Sequence, residues 1–474
     1  MEEKKYLAKN IGIITVSKLS SRMLAFFLVP LYTNILTTLE YGLYDLLYST
    51  ICFIAPIITL SISDSTLRFA LDKDSDNDGI LTVSVRGFLV GFAELAILVG
   101  INYYFVFSKT LYEYSVFFLL MYIGYALSGI IINFSRGIDK VKEVGISGVL
   151  SSIVMLGLNI LFLLYLKMGL RGFFLANIIA PFIQILFLTI SLRLWRYIKL
   201  SRSYESLRKK MLAYSTPLIA NTTSWWVINL SDRYIVTLIC GVESNGVYSI
   251  AYKIPSILTA LQGFFNEAWT LSAVKDYDAD DSKGFFKDTY NIFNFSMVII
   301  CSLIILSTRL FARVMYAKEF YDAWLFVPWL TISVVFGALS GYLGGIFAAV
   351  KETKVFAQTT IISAGVNIIL NLVLVYFVGP IGAAISTLIS YLFVFIIRLR
   401  ISRKYIDISL NIFRDCISYV ILIVQAITIC FSDQKTTTIV IVEFLLLCVL
   451  LLTFRSEFDR CIMMLKRRKK KDGR

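Results

Sequence analysis

The chain has 474 residues, 58% of them hydrophobic and 16% charged, with a mean hydropathy of +0.76. Soluble domains sit near ~50% apolar and ~25% charged, so this composition excludes a soluble enzyme, a disordered chain and a small secreted scaffold. The apolar residues fill roughly thirteen or fourteen membrane spans of about 20 residues each. The net charge of +14 would suit a nucleic-acid binder, and the placement of those charges decides the matter. Histidine is absent, which removes His-containing triads, zincins and imidazole proton shuttles. The seven cysteines show no Cys-x-x-Cys spacing and lie mostly in apolar runs, so they read as small buried hydrophobes. No catalytic residue, metal site or cofactor is expected, and the chain does not read as an enzyme.

Apolar runs separated by charge or turn clusters predict fourteen spans. The N-terminal MEEKKYLAKNIG leads into the first, 11–35, without a small-residue cleavage site, so it reads as a retained span. This span carries Lys18 and Arg22 four residues apart, on one helix face, with Ser17, Ser20 and Ser21 around them. The second span, 42–63, opens on Glu40-Tyr41-Gly42-Leu43-Tyr44, and the third, 80–105, contains Arg86 and Glu94. Spans 115–135, 145–166 and 172–194 follow. The seventh, 211–238, ends on Asp232-Arg233, and the eighth, 247–272, holds Lys253, Pro255 and Glu267. Next come 288–308 and 323–349, the latter with Gly337, Gly341, Gly344 and Gly345 spaced for close helix packing. The series ends with 356–377, 380–397, 413–430 and 437–454, the last containing Glu443.

An even count puts both termini on one side. With that side inside, the inner segments hold 34 Lys and Arg and the outer segments 7, which the positive-inside rule reads as cytoplasmic termini in a bacterial or archaeal cytoplasmic (inner) membrane. The tail Lys466-Arg467-Arg468-Lys469-Lys470-Lys471 is an anchor for anionic lipids. No soluble fold presents a basic face, so no nucleic-acid partner is expected.

Five cations, Lys18, Arg22, Arg86, Arg233 and Lys253, fall inside predicted spans. A charge within the bilayer costs a few kcal/mol or more, and is kept where it faces a water-filled cavity, pairs with a carboxylate or handles a substrate. Arg86, six residues into its span, also fits snorkelling to the interface, and Arg233, beside Asp232, also fits an ion pair with another helix. Lys18, Arg22 and Lys253 have no acid at helical spacing. A cavity with more cations than acids favours an anion, and phosphate or diphosphate suits Arg and Lys. Asp232, Glu94 and Glu267 are the candidates for ion coupling or internal pairing. No Walker A motif is present, so the drive would be an H+ or Na+ gradient, the membrane potential or the substrate gradient.

The chain also repeats itself. Glu40-Tyr41-Gly42-Leu43-Tyr44 returns as Ser244-Asn245-Gly246-Val247-Tyr248, and Gly169-x-x-Gly172 as Gly379-x-x-Gly382. Each copy holds six spans and both copies have the same orientation, so the halves are parallel repeats. The expected fold is all-α and polytopic, with two six-helix lobes around a central cavity. The lobes are 1–200 and 201–400, followed by two further helices within 401–454 and a basic tail, 455–474.

Taken together these motifs carry a resemblance. They comprise Asn10 through Arg22 with Pro30, Glu40 through Asp45, Arg136-Gly137, Pro217-Leu218-Ile219, Ser231-Asp232-Arg233-Tyr234, Gly246 through Pro255, and Asn367 to Gly382. The chain resembles the polysaccharide-flippase branch of the multidrug/oligosaccharidyl-lipid/polysaccharide exporter superfamily, the Wzx-like O-antigen and capsule repeat-unit transporters. The resemblance implies translocation of an undecaprenyl-diphosphate-linked oligosaccharide from the cytoplasmic to the outer leaflet by alternating access. It implies a diphosphate site in the cavity formed by Lys18, Arg22 and Lys253, with Arg233 and Arg86. The implied partners are the lipid-linked oligosaccharide, an H+ or Na+ coupling ion, and polysaccharide polymerase and chain-length proteins. Three alternatives stay open: a lipid II-type flippase, a multidrug/cation antiporter of the same fold, and a non-transporting assembly scaffold.

Overall fold

The computed structural model describes residues 26–460 except 73, 276, 283, 408, 409 and 433–435; within helices, the side chains at 221, 225, 229, 267, 271, 353 and 436 are also outside the description. The described chain is helical almost throughout and divides into two compact units. One runs to Tyr234 and takes in Val242–Gly246; the other comprises Ile235–Gly241 and the chain from Val247 onward.

In the first unit, α1 (Val29–Ile35) begins with Pro30 in its first turn, where a missing N–H costs nothing. Helix α2 (Thr38–Ile58) is started by a capping box: Glu40 N–H donates to Thr37 Oγ1 at 3.2 Å, and Thr37 N–H donates to Glu40 Oε2 at 2.9 Å. The acid that opens the repeated motif is therefore a helix-start signal. After α2 the chain turns through Leu60 and Ser61, both at φ 51°, into α3 (Ile62–Ala70). Helix α4 (Asn77–Phe105) is capped by Asp76, whose Oδ1 accepts from Gly79 N–H at 3.0 Å. Then follow α5 (Lys109–Glu113), α6 (Ser115–Gly137), and α7 (Val141–Asn159), which continues through a π-helical turn at Ile160–Tyr165. Next are α8 (Gly169–Ser191), α9 (Glu205–Ser215) and α10 (Leu218–Cys240), whose residues to Tyr234 belong to this unit. Leu47, Ile51, Phe88, Tyr122, Phe134 and Phe174 form part of its buried core.

The short α11 (Val242–Ala251) starts in this unit, and there the two copies of the motif meet. A Cβ on Gly42 would fall well inside contact distance of the Val242 carbonyl, and a Cβ on Gly246 would do the same to the Thr38 carbonyl. Thr38 relates to Val242 as Gly42 relates to Gly246, so the two copies of the motif cross reciprocally, backbone on backbone.

In the second unit, α12 (Pro255–Lys275), α13 (Phe285–Met315), α14 (Val327–Ala349), α15 (Thr353–Val378), α16 (Pro380–Ser402), α17 (Ile412–Phe431) and α18 (Thr436–Thr453) follow in order. Helix α14 lies against both α12 and α16. Its glycines permit this: Gly341 faces Asn266, Gly345 faces the Trp269 indole, and Gly337 faces the Tyr391 ring. Trp269 Nε1 also donates to the Tyr342 carbonyl at 2.8 Å. Close packing is therefore what these glycines serve, as their spacing predicts.

Several predicted spans have different bounds in the structure. The run 211–238 is two helices, broken at 216–217, because Pro217 has no N–H to donate back along the helix. The run 247–272 is likewise broken at 252–254, ahead of Pro255. The ninth span extends to Phe285–Met315, and the twelfth to Ser402, which brings Arg398 inside a helix. Among the described residues, ten helices are long and apolar enough to cross a membrane, and Thr437–Thr453 is a shorter apolar one. Helices α10 and α12 are long but more polar, and most of the first expected span lies outside the described residues.

The glycine crossing gives a test. Gly42→Ala or Gly246→Ala should each lower thermal stability by about 1–3 kcal/mol through overpacking against backbone. Gly100→Ala, where a Cβ meets nothing within 4 Å, should be neutral. Thermal unfolding of the three purified variants measures this.

Candidate functional site

In the first unit, polar side chains converge where α2 meets α10. Asp45, Ser49 and Cys52 recur on one face of α2 at helical spacing. Arg233 reaches that face: its Nη1 donates to Asp45 Oδ1 at 2.6 Å and to Ser49 Oγ at 3.1 Å. The two charged side chains are only 13% and 9% exposed, so solvent screens the pair weakly. Around it, Trp226 Nε1 donates to the Ser49 carbonyl at 2.9 Å, and its ring lies 4.3 Å from that of Phe53. Tyr234 and Thr50 share a hydrogen bond between their hydroxyls. Asp232 is fully buried, and its Oδ1 accepts from the Arg233 N–H at 3.0 Å.

An aromatic strip runs from the same helix into α8 and α6. Tyr44 stacks with Tyr48 at 6.1 Å and meets Phe173 edge-on at 4.6 Å, and Tyr48 meets Tyr125 edge-on at 6.3 Å. Tyr48 keeps 40% of its surface exposed. The site thus combines a counter-ion pair with flat, amphipathic ring surfaces.

The other predicted site residues are placed as follows. Arg86 donates through Nη2 to the carbonyls of Leu200 and Arg202, at 2.6 and 2.7 Å, and so holds the segment entering α9. It also lines a groove of about 550 Å³ in the first unit, together with Glu94, Tyr204 and Arg208. Lys253 lies in the break between α11 and α12. Its N–H donates to the Ile250 carbonyl at 3.0 Å, and its own carbonyl accepts from Ser256 Oγ at 2.6 Å. Lys18, Arg22 and the side chain of Glu267 lie outside the described residues. The structure therefore brings Arg233 together with Asp232 and Asp45, and sets Arg86 and Glu94 on a separate groove.

Two charged centres in the second unit escaped the sequence reading, which counted both arginines with the inner segments. Arg398 is 4% exposed. Its Nε donates to Thr359 Oγ1 at 3.0 Å, Nη1 to the Ser340 carbonyl and Oγ, and Nη2 to the Phe356 carbonyl and Thr360 Oγ1. It also sits 3.9 Å over the Phe356 ring. Arg414 is held by Asp415 at 2.9 Å and Glu457 at 2.5 Å. A signal was available for Arg398: Ser340, Thr359 and Thr360 stand in neighbouring apolar runs, where hydroxyls satisfy a buried guanidinium.

Asp45→Asn leaves Arg233 inside the protein without its counter-ion, a loss that typically costs about 3–5 kcal/mol for a buried pair. The double variant Asp45→Asn/Arg233→Met should unfold at a higher temperature than Asp45→Asn alone. Equal or lower stability of the double variant would show that the pair is not coupled.

A family model described as "Polysaccharide biosynthesis protein" matches residues 7–274. Among solved structures, the chain is similar to the lipid II flippase MurJ in its inward closed conformation, at 16% identity and TM-score 0.65, covering 94% of this chain and 99% of that one. It is also similar to a multidrug resistance MATE family transporter of the MOP superfamily in its inward-facing conformation, at 15% identity and TM-score 0.65, covering 82% and 94%. A third similar structure is a MOP superfamily transporter from Pyrococcus furiosus, described as having a binding pocket of reverse polarity that suggests a different function. It matches at 14% identity and TM-score 0.55, covering 83% and 92%. At these identities the likeness shows the fold alone. No curated protein matches the chain.

Proposed function

Since the chain belongs to the polysaccharide biosynthesis protein family, we propose that it is a flippase that carries a saccharide on a lipid diphosphate across the membrane. The observation that carries this reading is the family match itself, which spans more than half of the sequence. The likeness to the lipid II flippase supports it further, because that alignment takes in 94% of the chain against 82% for the MATE transporter. A lipid II-type mechanism is accordingly an analogue for it. An O-antigen, capsule or exopolysaccharide repeat unit is the cargo we favour, with the fourteen-span, two-lobe arrangement and inside termini as its setting.

In this proposal Lys18, Arg22 and Lys253 hold the diphosphate, since charge-assisted contacts strengthen as water is excluded. Arg233 already has Asp45 as a counter-ion at 2.6 Å, so a diphosphate would have to compete for it. Arg86 binds main-chain carbonyls and serves first to fix the segment before α9. Outward movement of an anion runs down an inside-negative potential, a gain of about 2.3 kcal/mol per charge per 100 mV. The membrane potential is thus a sufficient drive without a dedicated coupling ion, although Asp232, Glu94 and Glu267 remain the acids for one. A multidrug/cation antiporter is the second reading, favoured by the likeness to the MATE transporter.

Neutral substitutions separate the readings. Lys18→Gln/Arg22→Gln/Lys253→Gln should abolish surface saccharide while membrane abundance stays at the parental level. Unchanged export from that triple variant would overturn the diphosphate site. Sensitivity to cationic drugs that changes on deletion while surface saccharide does not would establish the antiporter instead.

A further inference from the structure

In the second unit, α13, α17 and α18 enclose a groove of about 590 Å³ with an almost wholly apolar lining. Its polar members are Ser307, Arg309 and Arg313 from α13 and Glu443 from α18. Neither arginine forms a salt bridge in the described structure. Arg309 donates from Nη2 to the Ile429 carbonyl at 2.7 Å and lies 4.8 Å over the Trp324 ring, while Arg313 is exposed.

Glu443 has no exposed surface, and neither of its carboxylate oxygens has a hydrogen-bond partner. Gln425, on the facing helix α17, is also fully buried. Its Nε2 donates to the Glu443 main-chain carbonyl at 3.4 Å, and its Oε1 has no partner either. Three buried acceptor atoms therefore sit on two adjacent side chains, whose one donor group, the Gln425 amide N–H2, is directed at the Glu443 main-chain carbonyl. Rotating the Gln425 amide does not resolve this, because it would set Oε1 against the Glu443 carbonyl, acceptor on acceptor. A carboxylate buried without a donor carries a desolvation cost of several kcal/mol. A proton removes that cost and supplies the missing donor.

We propose that Glu443 and Gln425 form a proton-binding site within the membrane span, with the neutral Glu443 carboxyl donating to Gln425 Oε1. Protonation turns the site from three orphan acceptors into one hydrogen bond and an acid of no net charge. The titratable and charged groups around it are Cys430 on α17 and Arg309 and Arg313 on α13. When Glu443 loses its proton, the guanidiniums of Arg309 and Arg313, which line the same groove, are its available counter-ions. The groove is then proton-responsive: neutral Glu443 leaves Arg309 on the Ile429 carbonyl and the Trp324 ring, and ionised Glu443 competes for it. This site is independent of what the chain carries.

Infrared difference spectroscopy on the full chain in lipid nanodiscs tests the proposal. The wild-type minus Glu443→Gln spectrum at neutral pH should contain the C=O stretch of a protonated carboxyl, and Gln425→Leu should shift that band because its acceptor is gone. Glu443→Gln, isosteric with the neutral acid, should unfold within a few degrees of the wild type. A difference spectrum showing carboxylate bands in place of the protonated C=O stretch would overturn the assignment. So would failure of Glu443→Gln to fold, since that would mean the native residue is a charged member of an ion pair. A band unmoved by Gln425→Leu would overturn the donor–acceptor pairing.

Discussion

A charge carried into hydrocarbon must bring its own satisfaction with it, and most of what is distinctive in this molecule answers that demand. With little water to share the cost, an unpaired guanidinium or carboxylate loses far more than it would at a soluble surface. Arg233 meets the demand with Asp45 and Ser49, and Arg414 with Asp415 and Glu457. Arg398 meets it without any acid, through hydroxyls and main-chain carbonyls of two neighbouring helices and the face of Phe356. Each solution ties one helix to another segment of the chain, and the Arg233–Asp45 pair joins helices far apart in sequence, so satisfying the charge also fixes helix position.

The same demand explains which parts of the structure the sequence made legible. Span-length apolar runs, prolines that end helices and glycines that admit a neighbour are local signals, and they located most helices to within a few residues. The paired Gly42 and Gly246 motifs are also local signals, and in the structure they meet in a reciprocal backbone crossing. Partner choice is not local. Nothing in the sequence around Arg233 separates Asp232, its neighbour, from Asp45, which lies 188 residues away and takes its guanidinium. Arg398 read as an inner-segment cation because its acceptors are Ser and Thr residues in other helices, with no acid to mark them. Helices α10 and α12 are not among the ten membrane-length apolar helices, because polar groups interrupt them, and for that reason composition alone places their ends poorly.

For the proposed flippase this distribution of charge has a consequence. A cation already paired by the protein is a poor first contact for a diphosphate, because the ligand must displace a carboxylate to reach it. Of the cations that the sequence places inside spans, Arg233 and Arg86 are committed to Asp45 and to main-chain carbonyls. Lys253 stands at a break between helices, just ahead of Pro255. In our account diphosphate recognition is assigned to Lys18, Arg22 and Lys253, while Arg233 and Asp45 hold α10 on α2.

The central claim is that the chain moves a saccharide on a lipid diphosphate. The most direct measurement uses the purified protein in liposomes carrying a polyprenyl-diphosphate saccharide labelled on the sugar, with a membrane-impermeant quencher added outside. The account predicts that the protein, but not the Lys18→Gln/Arg22→Gln/Lys253→Gln variant, brings inner-leaflet label to the quencher, faster under an inside-negative potential. Equal rates for both proteins and for protein-free liposomes, alongside protein-dependent movement of a cationic dye, would contradict it.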